Sequence, residues 1–155
     1  MGITTAMCNS FKQELLGGVH DLDTHTLKLA LIKASPTENY GKNTTTYDGS
    51  SGGDGTSLTQ GTNDEASGTN YSTGGITLQN PVIALDSDTA TLDFTTNPQL
   101  SSATISADGC LIYNSSASNK AIAVIDFSGT KTSTNGDFVI TMPTANASSA
   151  IVRIA

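Results

Sequence analysis

Two apolar patterns run along this chain, and one of them dominates. From residue 26 onward, apolar side chains recur at every second position in short runs separated by polar, glycine-rich stretches, which is the period of half-buried β-strands. The richest run is Thr104–Phe127. Thr104–Asn114 and Ala121–Phe127 read as two strands joined by the polar turn Ser115–Lys120. Ile105, Cys110, Ile112, Ile122, Val124 and Phe127 are its expected interior positions. The alternation slips once in each strand, which predicts a bulge or twist in both.

The same reading predicts a strand at Thr26–Ala34, with Leu27, Leu29 and Leu31 alternating before Pro36 ends it. Another follows at Ile76–Ala84, where Pro81 asks for a bulge or an edge position. Thr89–Phe94 alternates with Ala90, Leu92 and Phe94 inward and Thr91 and Asp93 outward. Asp137–Pro143 presents Phe138, Ile140 and Met142 on one face, and Ala150–Ala155 supplies a final short strand. Gly129–Gly136 reads as a polar turn between strands, and Asp86-Ser-Asp88 as a turn whose acids are solvated.

The second pattern is helical and occurs once. Met7, Phe11 and Leu15 stand at i, i+4 and i+8 with Cys8 beside them, predicting a helix over about residues 4–16. Thr4 or Thr5 is its expected cap, and Gly17-Gly18 its stop. So short a helix must pack on a sheet or on another subunit. The fold expected is one mainly β domain over residues 1–155: an antiparallel β-sandwich or open barrel of about seven strands with one short N-terminal helix.

Residues 35–70 interrupt the pattern. They hold little to bury around Asn43–Ser57 and are expected to form a long polar loop with Tyr40 and Tyr47 pinning its ends. The segment lacks the lysine and the strand–helix frame of a phosphate loop. Asp48 through Thr59 also lacks the glutamate that closes a calcium loop.

Composition narrows the function classes. The 155 residues carry 14 acidic and 7 basic side chains, a formal charge of −7. Such a surface repels phosphate backbones, so nucleic acid is excluded as a partner. No stretch approaches a membrane-spanning length, and Lys12 and Glu14 interrupt any early apolar run that could act as a signal peptide. The two ends read as genuine rather than processed termini. Cys8 and Cys110 are expected to be buried free thiols rather than a disulfide.

Candidate chemistry is thin. His20, Asp21, Asp23 and His25 are groups a first-row metal accepts, but no further spaced His or Cys completes a set, so a solvated turn is expected. Neither histidine has a serine or cysteine motif near it in sequence. No enzyme, no catalytic or metal-binding residue and no cofactor is expected. A carbohydrate- or receptor-binding β-sandwich is the alternative. With no tryptophan in the chain, only Tyr40, Tyr47, Tyr71 and Tyr113 could stack on a sugar; Tyr113 is expected at the core rim beside Ile112.

Six segments, in order and spacing, carry a resemblance. They are Ala6-Met-Cys-Asn-Ser-Phe-Lys-Gln-Glu-Leu-Leu16, Leu27-Lys-Leu-Ala-Leu31 and Asn63-Asp-Glu-Ala-Ser-Gly-Thr-Asn-Tyr-Ser-Thr-Gly-Gly75. Then come Ala107-Asp-Gly-Cys-Leu-Ile-Tyr-Asn114, Ala121-Ile-Ala-Val-Ile-Asp-Phe127 and Ala150-Ile-Val-Arg-Ile154. Over nearly its whole length the chain resembles a family of small virion proteins of tailed bacteriophages. The resemblance implies a non-enzymatic structural subunit located in the virion, as a capsid-decorating, neck or tail component. It implies partners among copies of the chain and other virion proteins, such as the major capsid, neck or tail subunits, with a homo-oligomer expected. Related chains look shorter between the first strand and Asn63, where this one carries a Gly/Ser-rich insertion.

Overall fold

A computed structural model of the chain describes residues 2–47, 56–58 and 64–155. Among the described residues there are ten strands and one helix. In chain order they are β1 (Ala6–Met7), α1 (Asn9–Leu16), β2 (Leu27–Lys33), β3 (Thr44–Tyr47), β4 (Thr56–Leu58), β5 (Ile76–Thr77), β6 (Pro81–Asp86), β7 (Thr89–Phe94), β8 (Gln99–Asn114), β9 (Lys120–Val139) and β10 (Val152–Ile154). Seven strands form one sheet in the order β4-β3-β9-β8-β2-β5, with β1 also paired to β9. The other three form a small sheet in the order β10-β7-β6. All pairings are antiparallel except β3 with β4.

The mainly β, antiparallel class is therefore as the alternation requires. Ten strands replace the expected seven because β1, β3, β4 and β5 are too short to show a period.

The β8–β9 hairpin is the spine, and it is longer than its apolar run. Gly129–Gly136, expected as a turn, is the continuation of β9: Lys131, Thr132, Ser133 and Gly136 pair with Ala107, Ser106, Ile105 and Ala103. Backbone ladder bonds need no apolar side chain, and alternating threonines suit a pleated, solvated surface. The expected bulges are present. The register shifts between Ile112 and Tyr113, and more sharply between Ala107 and Gly109, where β9 steps from Lys131 to Asp126. Ser128 and Gly129 take φ values of 56° and 111° to absorb that step.

The large sheet buries both faces. Leu27, Leu29 and Leu31 pair with Asn114, Ile112 and Cys110 and share one face with them. Lys28, Ala30 and Ile32 pair with Tyr113, Leu111 and Gly109 on the other. The sheet curls toward this second face. Tyr47 of β3 stacks on Tyr113 of β8, with ring centroids 4.5 Å apart, although β9 lies between their strands. Ile105, Cys110, Ile112, Ile122 and Val124 are buried as expected, while Phe127 is only half-buried.

The N-terminal segment departs from its periodicity. Helix α1 begins at Asn9 with Cys8 as its N-cap and no side-chain cap bond, so neither Thr4 nor Thr5 caps it. Residues before it are extended instead: Ile3 bridges to Tyr40, and Ala6 and Met7 pair with Val124 and Ala123. The open edge of β9 captures the backbone that local propensity alone assigns to helix. Phe11 remains where its spacing puts it, fully buried.

In the small sheet, Leu92 and Phe94 are buried as expected, but Ala90 is exposed and Thr91 and Asp93 are buried. The C-terminal segment causes the difference: Ile151 N–H reaches the Asp93 carboxylate, and β10 pairs along β7. Burial raises the Asp93 pKa, against the opposing pull of hydrogen bonds from Phe94 and Ile151 N–H. The predicted Ile76–Ala84 strand divides into β5 and β6, and Pro81 opens β6 at the sheet's edge, where no ladder bond needs its missing N–H.

Candidate interaction surface

The segment expected to be a loose loop is tied down wherever it is described. Asp64, wholly buried, accepts hydrogen bonds from Thr37 N–H and Oγ1, Glu38 N–H and Tyr40 Oη at 2.8–3.0 Å, and pairs with Lys33 Nζ at 2.9 Å. Burial alone raises a carboxyl pKa, but these donors outweigh it and hold Asp64 down to about 2. Beside it, Glu65 accepts from Tyr47 Oη, Tyr71 Oη and Gly74 N–H at 2.7–2.9 Å. Tyr40 and Tyr47 both anchor the first part of the expected loop, through these two carboxylates. Most of Asp48 through Thr59, the segment compared with a calcium loop, lies outside the described residues.

These bonds also settle where the tyrosines are. Tyr40, Tyr47 and Tyr113 are buried, and Tyr71 is half-buried with its hydroxyl donating to Glu65 and accepting from Leu31 N–H. Burial, with the neighbouring carboxylates, pushes the phenols of Tyr40 and Tyr71 upward. Of the four, Tyr71 alone keeps part of its surface exposed, on the wall of a cleft shared with Ser67, Thr104 and Ser133.

The histidines are not in a solvated turn. His20 is buried, its Nε2 2.9 Å from Glu14 Oε2 and its Nδ1 3.0 Å from Asn114 Nδ2. Asn114 Nδ2 also lies 2.9 Å from His25 Nδ1, while Asn114 Oδ1 accepts from Ser116 and Ala117 N–H. Those two backbone donors fix the amide's orientation, so Asn114 donates to both rings and His20 Nε2–H donates to Glu14. Glu14 in turn pairs with Lys120 at 2.7 Å. One amide thus ties helix, connection and central hairpin together. Among the described residues no three His, Cys, Asp or Glu side chains are placed to hold a metal ion. Asn114→Ala strands a buried ring nitrogen and frees two turn N–H groups, so it should cost about 2–3 kcal/mol in denaturant unfolding, with little change in circular dichroism.

Cys8 and Cys110 are both free and buried. Burial pushes the Cys8 thiol up to about 12, opposed weakly by Lys12 and reinforced weakly by Glu14, and pushes Cys110 higher still. Neither has the lowered pKa a reactive thiol needs.

The fold also leaves several large apolar side chains outside. Leu16 at the end of α1 is 93% exposed, Leu85 74%, Ile83 54% and Ile154 45%. Pairing places Ile83, Leu85, Ala90 and Ile154 on one face of the small sheet, continuous with buried Leu92 and Val152. A groove of about 380 Å³ separates this face from Leu15 and the connection His20–Asp23. Of Met7, Phe11 and Leu15, whose shared face is expected to pack on a sheet or on another subunit, Phe11 is core, Met7 lies in β1 rather than in the helix, and Leu15 is half-buried on the groove wall. Sequence reasoning missed Leu16, Ile83 and Leu85 as surface residues because alternation marks which positions share a face, not whether that face is covered. A second cleft, about 640 Å³, runs between Leu29, Ile125 and Phe127 of the large sheet and Ile140, Met142 and Ile151, with Lys131 and Arg153 among its lining residues.

Compared with family models, curated proteins and solved structures, the chain matches none.

Proposed function

We propose that this chain is a non-enzymatic structural subunit of a tailed-phage virion, assembling through surface contacts with copies of itself and with other virion proteins. The observation that carries this reading is the apolar face formed by Ile83, Leu85 and Ile154, three large side chains on one side of the small sheet that a freely diffusing monomer has no reason to leave in water together. The core around the β8–β9 spine and the buried carboxylates makes a rigid body. A rigid body suits contact duty, because little ordering entropy is lost on docking. The resemblance carried by the six segments supports a role for such a body in a virion, on capsid, neck or tail.

The test replaces exposed residues that bear no load in the fold. Leu16→Asp combined with Leu85→Lys should leave the unfolding midpoint within about 0.5 kcal/mol of the parent in free energy. The same variant should lose incorporation into particles and shift the oligomer to lower mass. A parent chain that is absent from purified particles and monomeric at high concentration overturns the reading. So does saturable sugar binding or turnover of a substrate.

A further inference from the structure

We propose that the groove beside β6 receives an extended segment of another protein, with apolar residues at alternate positions and lysine or arginine between them, added as a fourth strand to the small sheet. This rests on the reading of the chain as a contact-making subunit and names one of its partners by chemistry.

Three observations converge on that occupant. The first is the edge. β6 is terminal in its sheet. Its hairpin to β7 closes over Ser87 and Asp88, so Asp86, Ala84 and Val82 spend their backbone groups on Thr89, Thr91 and Asp93. Ile83 and Leu85 therefore aim theirs outward, and among the described residues no backbone hydrogen bond meets them. An incoming strand finds ready donors and acceptors there.

The second is the face. Residues set opposite Ile83 and Leu85 on an added strand fall on the same side of the sheet as those two, over the groove lined by Leu15, Leu22, Leu92 and Ile154. Apolar side chains at every second position match that placement.

The third is charge. Asp21 and Asp23 line the groove, and Asp86 and Asp88 close the β6 end. None of the seven cations of the chain is among the groove's lining residues. A second copy of β6 brings no cation and would add Asp86 and Asp88 to a rim that is already acidic. A basic segment is attracted to that rim, and its long side chains can lie along the apolar wall while reaching the carboxylates.

The experiment uses the full chain and a labelled synthetic peptide, Lys-Val-Thr-Val-Lys-Val-Thr-Val-Lys, followed by fluorescence anisotropy. A counterpart with Glu for every Lys is the control. Two variants accompany it. Asp23→Lys reverses a rim charge whose carboxylate is exposed. Ile83→Pro removes one outward N–H without touching the ladder to β7. The basic peptide should bind saturably, and each variant should weaken it by at least about tenfold, a difference near 1.4 kcal/mol. Raised salt should weaken it as well, and the acidic peptide should not bind. Unfolding of each variant is measured alongside, and Leu85→Lys replaces Ile83→Pro if the proline variant does not fold. Equal binding of the two peptides, or no binding of the basic one, overturns the proposal. A concentration-dependent dimer of the parent that Ile83→Pro abolishes overturns it too, and gives the edge to a second copy. Presence in particles is scored separately. A chain found in virions that ignores the basic peptide sinks this inference alone, and a chain that binds the peptide but is absent from virions sinks the function alone.

Discussion

Replacing Asp64 by alanine is expected to cost about 3–5 kcal/mol of folding free energy, the range for removing one partner of a buried, hydrogen-bonded ion pair. Four hydrogen-bond donors and the Lys33 ammonium converge on this one carboxylate, which has no exposed surface. Alanine leaves them facing an apolar methyl group, and buried unpaired donors carry the full desolvation penalty. Asp64→Asn keeps the shape and one acceptor oxygen, but offers an amide where donors already point, so it should fall between parent and alanine. The ionised form also carries a pH signature. The Asp64 pKa is lowered on folding from 3.8 to about 2. A carboxylate with a depressed native pKa gives stability that is complete above its unfolded value and is lost as pH falls through the native one. The window is therefore pH 4 down to pH 2, and the loss is about 2 kcal/mol, at 1.36 kcal/mol per tenfold change in proton affinity. Asp93 works against it: its raised pKa makes protonation favour the fold, so acid restores a little of what Asp64 loses. Urea unfolding at pH 4 and pH 2 should show a net fall in the parent and a clearly smaller one in Asp64→Ala, where exposed Asp21, its pKa lowered by hydrogen bonds from Thr24, still titrates. A parent curve that is flat across that window would refute the assignment.

Gly75→Ala should be as damaging for a reason that has no electrostatics in it. Gly75 has φ +78°, and a Cβ built there would stand 1.9 Å from the Leu29 carbonyl oxygen and 2.7 Å from Ala30 Cα. Both obstacles are backbone of β2, held between β8 and β5 in the large sheet, so no side chain can swing aside. The left-handed conformation adds about 1–2 kcal/mol for any L-residue. The clash forces residues 74–76 off the sheet, which breaks the β5 pairing and pulls Gly74 N–H from Glu65. A total above about 3 kcal/mol is expected, in the tail of single-substitution effects. Gly18→Ala is the control: its φ is +70°, yet nothing lies within 4 Å of the added carbon. It should show the conformational cost alone. Equal midpoints for the two variants would mean that the close approach to β2 is not what Gly75 is there for.

The long apolar runs were legible and the polar ones were not, for a physical reason. Alternation reports which face is buried, so Leu27–Leu31, Cys110–Ile112 and Ile122–Val124 could be placed in the core from their spacing. Thr130–Asn135 extends the same hairpin with no apolar side chain at all, because its stabilisation is in the backbone ladder. Asp64 and Glu65 look like turn acids in sequence. Only the return of residues 33–47 to their side, brought about by the curl of the sheet, turns them into buried anchors. Similarly, His20 and His25 suggest a metal by type and spacing, but Asn114, almost ninety residues later, decides that they receive an amide instead. The exposed groove is written partly in β6, partly in the end of α1 and partly in β10. Each contributes one or two side chains, too few for any local pattern.

The pairing of β1 with β9 also sets the order in which this polypeptide can mature on a ribosome. Ala6 and Met7 are made more than a hundred residues before the strand edge they dock onto, at Ala123 and Val124. Their partner does not exist until that stretch has been added. The leading arm must therefore wait, solvated and unpaired, and the β-sheet closes around a late-arriving hairpin, which makes the nascent chain slow to become protease-resistant.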